Sequence, residues 1–416
     1  MLIDSIQQLE AKNILTTMDA LQPLLLAEAL MDRGSYSSSI YTKEMKEAAA
    51  DLKKREDITV RRADKTTAFM LISTSEYFEK LDAILSDISK FKQLMKNPTE
   101  DIKRDAHRVI TAVNAATNAT HLLPIQGDYS LGYLYGNMKS HKEGNPLLPI
   151  ISQTPVPTYA LAKRLHKILC PYIPFRNCVT SSVEFLEIRD SSGVGTMASL
   201  DVESLFTNVP VDETIGIIME WVYRNHDMRP PNLQEDSLRT LLDICTMNTP
   251  FTTHRGQMYH QEDGVAMGSP LGILFANFYM GEVEERVFSQ HRCPRTYRRY
   301  IDNIFVQADS EDEVEAIQQQ ILRHSALNFT VEYSSNDVLV MKTNQKLATT
   351  VYTKATNLRL CLNGDRECPV WFKTTTVRAF VRRALSHCST WQDTHLELDR
   401  ASQMLINNGY SIKLVN

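Results

Sequence analysis

Apolar and polar residues follow two spacings along this chain, and each spacing predicts a class of element. Residues 1–57 show helical spacing, with Pro23 able to open a helix, and we expect a helical N-terminal extension there. Residues 58–73 are rich in β-branched and apolar side chains, which predicts strand. Residues 76–114 carry many charges between apolar positions at helical spacing, so we expect helix throughout this stretch.

The middle of the chain is punctuated by proline and glycine. A hairpin is predicted with its turn at Glu143-Gly144-Asn145. A basic helix is predicted over residues 158–169, ending before Pro171 because proline disfavours helical geometry in the residue before it. Residues 195–202 then read as a short apolar strand.

Two start signals predict helices in the following stretch. Pro210 and Asp212 favour a helix through Trp221, with Asp212 as N-cap, and Ser269-Pro270 favours another. The remaining elements are a strand pair in residues 297–306 joined at Asp302-Asn303, a helix over 312–324, a strand over 329–333 and an antiparallel pair around Asn344-Gln345. Strands broken by helices in this order predict an α+β fold, with helices on one face of an antiparallel sheet.

Composition and charge narrow the class of protein. With 416 residues and 43% hydrophobic side chains the chain can bury a core and form two or three subdomains. A formal net charge of -5 argues against a protein that binds nucleic acid simply through an overall positive charge. The seven cysteines show no CxxC spacing, which favours a reducing compartment over a disulfide framework or a zinc finger. Without a signal peptide or a long apolar run we expect an intracellular protein without a membrane partner, in either nucleus or cytoplasm.

Two aspartates carry the candidate chemistry. Asp201 ends an apolar strand and Asp302 lies at the tip of the later hairpin. Such carboxylates are poorly solvated and would repel each other if they met in one sheet. Two Mg²⁺ ions would resolve this while holding a triphosphate for attack by a hydroxyl. The alternative is that both are ordinary turn or cap residues in a chain with 50 acidic residues.

Six segments in order resemble the reverse transcriptases of Penelope-like retroelements, over residues 62 to 387. Two of them, residues 201–210 and 299–305, contain Asp201 and Asp302, and two more span residues 135–150 and 264–280. Weaker matches lie at residues 62–65 and 351–354. The resemblance implies a right-hand polymerase that synthesises DNA on an RNA template from a DNA primer and dNTPs, and it leaves protein partners open. It also implies fingers at 58–190, a palm at 191–340 and a thumb with the C-terminal segment at 341–416.

The same resemblance implies roles for residues of this chain. Asp201 and Asp302 would be the catalytic metal ligands, with the Val202 carbonyl and Asn303 as further oxygens, for two Mg²⁺ or Mn²⁺ ions. The residues expected at the incoming nucleotide are Lys139 and Lys142 on the triphosphate, Phe206 against the sugar, where it excludes a 2′-hydroxyl, and Gly268 and Ser269 along the backbone.

A basic surface is expected to follow template and primer, since a polymerase must accept every sequence. The residues assigned to it are Lys163, Arg164, Arg298, Arg299, Arg382 and Arg383. The alternative for each cluster is an ordinary solvated face.

Four departures from the family pattern affect catalysis. Asn303 replaces a second aspartate, Leu148 an arginine, Gly272-Ile273 a Ser-Pro pair, and Ser335-Asn336 two apolar anchors. No GIY-type nuclease signature is recognised, so the expectation is an endonuclease-lacking and degenerate copy. Two rivals stay open: an impaired or repurposed relative that only binds nucleic acid, and an enzyme that copies RNA into RNA, against which Phe206 argues.

Overall fold

The computed structural model describes most of the chain after residue 42. The described ranges are 43–64, 69–116, 129–139, 144–181, 184–185, 195–224, 229–247, 249–325, 327–333, 338–343, 346–353, 359–365 and 368–415. Most of the predicted N-terminal extension therefore lies outside the described residues, whose first element is helix α1 (Lys43–Lys54).

Ten elements form the first part of the described chain. After α1 they are β1 (Ile58–Arg62), β2 (Phe69–Ser73), α2 (Thr74–Leu85), β3 (Phe91–Leu94), α3 (Thr99–Ala116), β4 (Gly132–Met138), β5 (Leu147–Ser152), α4 (Tyr159–Leu169) and a 3-10 turn (Cys170–Tyr172). The central part comprises β6 (Thr196–Val202), α5 (Leu205–Asn208), α6 (Val211–Tyr223), α7 (Glu235–Thr246), β7 (Phe251–Thr252), β8 (Met258–Gln261), α8 (Gly272–Gln290), β9 (Thr296–Tyr300), β10 (Asn303–Ala308), α9 (Glu311–His324) and β11 (Phe329–Glu332). The last part contains β12 (Val338–Thr343), β13 (Lys346–Val351), α10 (Val370–His387), α11 (Trp391–Asn407) and α12 (Ile412–Val415).

One sheet has the strand order β3-β8-β7-β4-β5. Its β4–β5 hairpin confirms the predicted turn, where Gly144 and Asn145 adopt positive φ angles of 73° and 45°. Helix α2 covers this sheet through Tyr77 and Leu81, both 1% exposed. Strands β7 and β8 come from residues predicted to belong to the palm, yet they pair in the first sheet. The chain therefore forms β6 of the second sheet, then β7 and β8 of the first, and then β9 to β11 of the second.

The second sheet has the order β11-β6-β10-β9, and each neighbouring pair is antiparallel. Leu200, Ile304 and Val306 on one face are fully buried in the main core. Helices α6, α8 and α9 supply the other side of that core. The predicted α+β architecture, with helices packed on one face of an antiparallel sheet, is confirmed.

Local structure departs from the sequence predictions where a distant partner intervenes. The stretch predicted as continuous helix contains β3, because α2 ends at Leu85 and residues 91–94 pair with β8. Asp212 is not the N-cap of α6: Pro210 occupies the cap, and the Val211 amide donates to Asp263 Oδ1 at 3.1 Å. Helix α8 starts at Gly272, two residues after the predicted start, since the Ser269 hydroxyl accepts from the Leu271 amide.

The C-terminal elements pack on one another. Strands β12 and β13 pair as predicted, although their Asn344-Gln345 turn falls outside the described residues. The Ser389 amide donates to the Thr349 carbonyl oxygen at 2.9 Å, which ties the α10–α11 connection to β13. None of the described helices is long and apolar enough to cross a lipid bilayer.

Candidate active site

Asp201 and Asp302 meet at the same end of two neighbouring strands. Asp201 of β6 is the direct partner of Asn303 in β10, and Asp302 immediately precedes Asn303. The Val202 amide donates to the Asp302 carbonyl oxygen at 2.9 Å, which closes the strand pair at this end. The structure therefore brings together two carboxylates that are about a hundred residues apart in sequence.

Strand alternation turns these groups away from the core. Neighbours in a strand point to opposite faces, so the burial of Leu200 and Ile304 places Asp201 and Asn303 on the open face of the sheet. Asp201 is exposed, whereas Asp302 and Asn303 are half-buried. A ligand approaching the open face would reach all three side chains.

The donor set fits a hard divalent cation. Asn303 Nδ2 donates to Asp302 Oδ1 at 3.0 Å, so the amide restrains the carboxylate beside it. Within the described part of the chain no group of three or more His, Cys, Asp or Glu residues is arranged to hold a metal ion. Mg²⁺ is commonly held by one or two carboxylates together with water and substrate phosphates, so two aspartates suit it.

Arg299 requires a correction. Its pairing with Ile304 places the side chain on the core face of β9, where it is 0% exposed, and it cannot belong to the surface that contacts nucleic acid. Arg298 points to the opposite face and is half-buried, with Nη1 donating to the Tyr297 carbonyl oxygen at 2.7 Å. Alternate side chains of β9 face opposite sides of the sheet, which the sequence could have indicated. Which of them face the core becomes clear only from the register with β10.

Buried Arg299 is the centre of a polar network. Its Nε donates to Glu284 Oε1 at 2.6 Å, and Tyr297 donates its hydroxyl to the same oxygen at 3.2 Å. Its Nη2 donates to Cys178 Sγ at 3.0 Å. Burial alone would lower the pKa of the guanidinium, but Glu284 and the other partners raise that pKa above its ordinary value. Burial raises the pKa of Cys178 to about 11, although the Arg299 charge opposes this.

Phe206 lies on α5, directly after β6, and is half-buried. Its carbonyl oxygen accepts from the Val265 amide at 2.7 Å, which links the two polymerase-like motifs. A methyl group added at Gly272 would approach the Phe206 ring to 3.4 Å. A side chain at position 272 would therefore be in ordinary van der Waals contact with the ring.

Gly268 meets the first sheet rather than open space. It forms an isolated bridge with Ser152, and an added Cβ would lie 2.2 Å from the Ile151 carbonyl oxygen. Only glycine allows this close backbone approach. Asp263, which the sequence reasoning missed, accepts from the amides of both Val211 and Gly264, so it connects the end of the motif over 201–210 to the start of the motif over 264–280.

Of the two predicted triphosphate lysines, Lys139 is described by the structure and lies at the β4–β5 hairpin. Lys139 directly follows β4 and is half-buried, and its amide donates to the Pro146 carbonyl oxygen at 2.8 Å. Lys142 lies outside the described residues. Leu148 pairs with Asn137 on the hairpin and is half-buried.

The other predicted basic residues are on two helices. Lys163 and Arg164 are exposed on α4, with Lys163 Nζ 5.2 Å from the Tyr159 ring centre. Arg382 is exposed on α10, whereas Arg383 is half-buried and its Nη2 donates to the Tyr352 carbonyl oxygen at 3.3 Å.

Comparison with known proteins agrees with this geometry. Residues 149–332, which contain Asp201 and Asp302, match the family model described as reverse transcriptase (RNA-dependent DNA polymerase). Residues 360–416 match a model described as an animal helix-turn-helix domain. A comparison with curated protein sequences finds none that matches this chain.

Solved telomerase structures resemble most of the chain. Telomerase from Candida albicans, in complex with a TWJ fragment of telomeric RNA, matches with 10% identity and a TM-score of 0.51 over 97% of this chain and 80% of its own. Apo telomerase from Candida tropicalis matches with 9% identity and a TM-score of 0.52 over 94% and 74% of the two chains. A form of the latter truncated from its C-terminal domain matches with 8% identity and a TM-score of 0.48 over 73% of this chain, which spans 64% of that one. With the region matched by the family model, the first two similarities show a right-hand polymerase fold.

Proposed function

We propose that this chain is an RNA-directed DNA polymerase that extends a DNA primer on an RNA template. The observation that carries the proposal is the pairing of Asp201 with Asn303, which sets the Asp201 and Asp302 carboxylates at one end of the second sheet. The match of residues 149–332 to the reverse transcriptase model supports it, because that region contains both aspartates.

The proposed reaction is nucleotidyl transfer. The primer 3′-hydroxyl oxygen forms a bond to the α-phosphorus of a dNTP, the bond from that phosphorus to the bridging oxygen breaks, and pyrophosphate leaves. Asp201 and Asp302 would hold Mg²⁺, with the Val202 carbonyl and the Asn303 amide oxygen nearby. Bound Mg²⁺ would supply a lowered pKa for the hydroxyl and charge neutralisation for pyrophosphate.

Other residues would bind and orient the nucleotide. Lys139 and Lys142 on the β4–β5 hairpin would contact the triphosphate. Phe206 would pack against the sugar and exclude a 2′-hydroxyl, and its place on α5 directly after the strand that carries Asp201 supports this role. Gly268 and Ser269 would form the floor under the new base pair, because they lie where the first sheet touches the loop before α8.

The primer and template would lie across two basic faces. Lys163 and Arg164 on α4 offer exposed cations, and so do Arg378 and Arg382 on α10. Arg298 lies on the open face of the sheet that carries the aspartates. These contacts would be to the phosphate backbone, as a polymerase needs affinity without sequence preference.

Primer extension on an RNA template with dNTPs and Mg²⁺ tests the proposal. Asp201→Asn and Asp302→Asn should each lower the rate by at least about a hundredfold, since losing a metal ligand removes several kcal/mol of transition-state stabilisation. Asp212→Asn is the matched control, because that side chain is 85% exposed in the first turn of α6. Synthesis that continues at the wild-type rate in both ligand variants would exclude this site.

A second candidate is an impaired or repurposed relative that binds nucleic acid without copying it. Asn303 and Leu148 favour it, because one removes a negative charge from the metal site and the other a guanidinium from the hairpin. Asn303→Asp combined with Leu148→Arg discriminates the two. Synthesis by the double variant alone would establish the impaired relative, whereas synthesis by the wild type would exclude it.

The finer assignment is to a Penelope-like retrotransposon, and the six motifs in order support it. A genomic test is the number of similar copies of the coding locus. Many interrupted copies are expected for such an element, and a single intact copy would argue against it.

A further inference from the structure

The turn that presents Asp302 is strained at the residue before it. Ile301 has a φ of 56°, in the left-handed region. A branched Cβ makes this conformation costly, and it persists only where surrounding contacts hold it. Ile301 is half-buried and packs against the main core. Asp302 therefore depends on a contact that stabilises an unfavourable backbone conformation.

Arg299 provides that contact from inside the protein. Its Nη1 donates to the Ile301 carbonyl oxygen at 3.2 Å and to Asn277 Oδ1 at 2.8 Å. The guanidinium is itself fixed by Glu284 through Nε at 2.6 Å, in a pair of side chains that are 0% and 2% exposed. Since Glu284 and Asn277 both belong to α8, the turn is connected to the helix that follows Gly268 and Ser269.

We propose that Arg299 is a positioning residue for catalysis: through the Ile301 carbonyl it holds the turn that presents Asp302, and through Glu284 and Asn277 it fixes that turn relative to α8. Its importance for catalysis rests on the proposed polymerase function. The conformation of the turn can be measured without metal, nucleotide or nucleic acid. Failure of the positioning role of Arg299 can therefore be distinguished from failure of the proposed polymerase function.

Amide hydrogen exchange at Val202 is the first test, because this amide donates to the Asp302 carbonyl oxygen. In the full chain, Arg299→Lys should speed this exchange about tenfold, since a lysine keeps the charge but cannot reach all the partners of a forked guanidinium. Amides in α9 should exchange at the wild-type rate. Unchanged exchange at Val202, or an equal increase throughout the second sheet, would show a merely structural role and overturn the proposal.

Arg286→Lys is the matched control. Arg286 lies on the same helix α8 and donates to two carboxylates, Glu282 at 2.9 Å and Glu213 at 3.2 Å. Neither of these partners belongs to the turn that presents Asp302. Its substitution should leave Val202 exchange unchanged. Should Arg299→Lys fail to fold, Glu284→Gln replaces it, because this variant keeps an oxygen for Nε and removes only the charge; it should also loosen Val202 selectively.

A double-mutant cycle with Ile301→Gly isolates the strained turn. Glycine adopts positive φ without a side-chain clash, so the turn no longer needs an external restraint. In the Ile301→Gly background, Arg299→Lys should speed Val202 exchange by less than about threefold. An equal effect in both backgrounds would contradict the proposed action through the Ile301 carbonyl.

Metal affinity connects the turn to the site. Mn²⁺ binding, measured by electron paramagnetic resonance with a primer–template and a non-hydrolysable dNTP, should weaken about tenfold in Arg299→Lys and stay unchanged in Arg286→Lys. Val202 exchange that changes while Mn²⁺ affinity does not would overturn the positioning role. If the wild type binds no Mn²⁺ that depends on Asp201, the proposed polymerase function fails, and the exchange data still report on the turn.

Discussion

At the scale of single residues, Asn303 would set the charge of the proposed metal site. It replaces a carboxylate with an amide and donates to Asp302 Oδ1. Asn303→Asp should lower the Mg²⁺ concentration needed for half-maximal primer extension by about tenfold, because a third carboxylate strengthens the attraction for a divalent cation. The same change should destabilise the metal-free protein through repulsion between neighbouring carboxylates.

A magnesium titration of primer extension measures the first effect, and thermal unfolding without metal measures the second. Asn407→Asp is the control, since this exposed residue ends α11 and bonds only Gln403 among its recorded side-chain partners. Half-activation at the same Mg²⁺ concentration in both variants would show that Asn303 does not contribute to metal binding.

Phe206 is predicted to determine the choice of sugar. Phe206→Ala removes the ring beside Gly272 and should reduce the preference for deoxynucleotides over ribonucleotides by at least about tenfold, since the steric barrier to a 2′-hydroxyl disappears. Single-nucleotide incorporation with paired dNTP and rNTP measures the ratio. Phe206→Tyr keeps the ring and should keep the preference, and an unchanged ratio in Phe206→Ala would assign the ring to the core alone.

The sequence predicts the meeting of Asp201 and Asp302 but not the place of every charged residue. Local patterns place Asp201 at a strand end and Asp302 at a hairpin tip, and their convergence is what the resemblance of the ordered motifs implies. Arg299 was assigned to the surface because arginine is rarely buried unless paired. Its partner Glu284 comes from another element, and only the fold brings the two together. Asp263 was missed for the same reason, since the Val211 amide that it caps is 52 residues away.

At the scale of elements, Gly268 fixes the contact between the first sheet and the loop before α8. Gly268→Ala would push a methyl group to 2.2 Å from the Ile151 carbonyl oxygen, so one of the two backbones must move. We expect a loss of about 1–3 kcal/mol in the free energy of unfolding, as for other steric clashes in packed regions. Primer extension should fall as well, because the loop adjoins Phe206 through the Val265 amide.

Urea unfolding measures the stability change, and Gly216→Ala is the matched control. Gly216 lies within α6 and has no neighbouring atom within 4 Å of an added Cβ, so the substitution should stabilise the helix by about 1 kcal/mol. Stabilisation of both variants would show that the contact between Gly268 and the first sheet is not tight.

Helix α10 is predicted to contact the phosphate backbone. Arg378 and Arg382 are exposed on it, one turn apart, and Trp371 is exposed nearer its start. Arg378→Ala with Arg382→Ala should weaken binding to a primer–template duplex and reduce the slope of log affinity against log salt by about two, roughly one for each lost phosphate contact.

Binding titrations at several salt concentrations measure that slope. Arg400→Ala is the control, because Arg400 lies on neighbouring α11 and pairs with Glu397 at 3.6 Å. An unchanged slope in the double variant would place the duplex elsewhere and leave α10 as a solvated face.

Element types follow from the sequence more closely than element ends. The β4–β5 hairpin, α4 and the β9–β10 pair were predicted from local signals, namely turn residues in the two hairpins and a proline after the helix. The β9–β10 turn is at Ile301-Asp302, one residue before the predicted Asp302-Asn303. Strand β3 was missed because its four residues become a strand only by pairing with β8, more than 160 residues later. A strand that forms through such long-range pairing is hard to predict from the local spacing of apolar residues.

At the scale of the whole molecule, the predicted boundary between fingers and palm at residue 190 does not describe which sheet each segment joins. Strands β7 and β8 lie between α7 and α8 in sequence, yet they complete the sheet of β3, β4 and β5. The main core and the core of the first sheet are therefore joined by a chain that passes between them after β5, before β7 and again after β8. We infer that these two parts unfold together.

The C-terminal elements should unfold separately from both. Among the described residues, the members of the main core end at Val331, whereas Ala384, Ala401 and Leu405 are buried outside it. Their recorded contacts run within the C-terminal part, as in the bonds of Ser389 to Thr349 and of Arg383 to Tyr352. A unit with its own core and few outside contacts forms its own cooperative transition.

Hydrogen exchange across a urea series tests this, with peptides from α11 and from β6 followed in the same samples. Leu405→Ala should lower the midpoint for α11 alone, by the equivalent of about 2–5 kcal/mol, because it removes a buried side chain that is 2% exposed. Leu242→Ala, a fully buried counterpart in the main core, should shift β6 and leave α11 unchanged. Equal shifts of both peptides in either variant would show that the C-terminal elements and the main core form one cooperative unit.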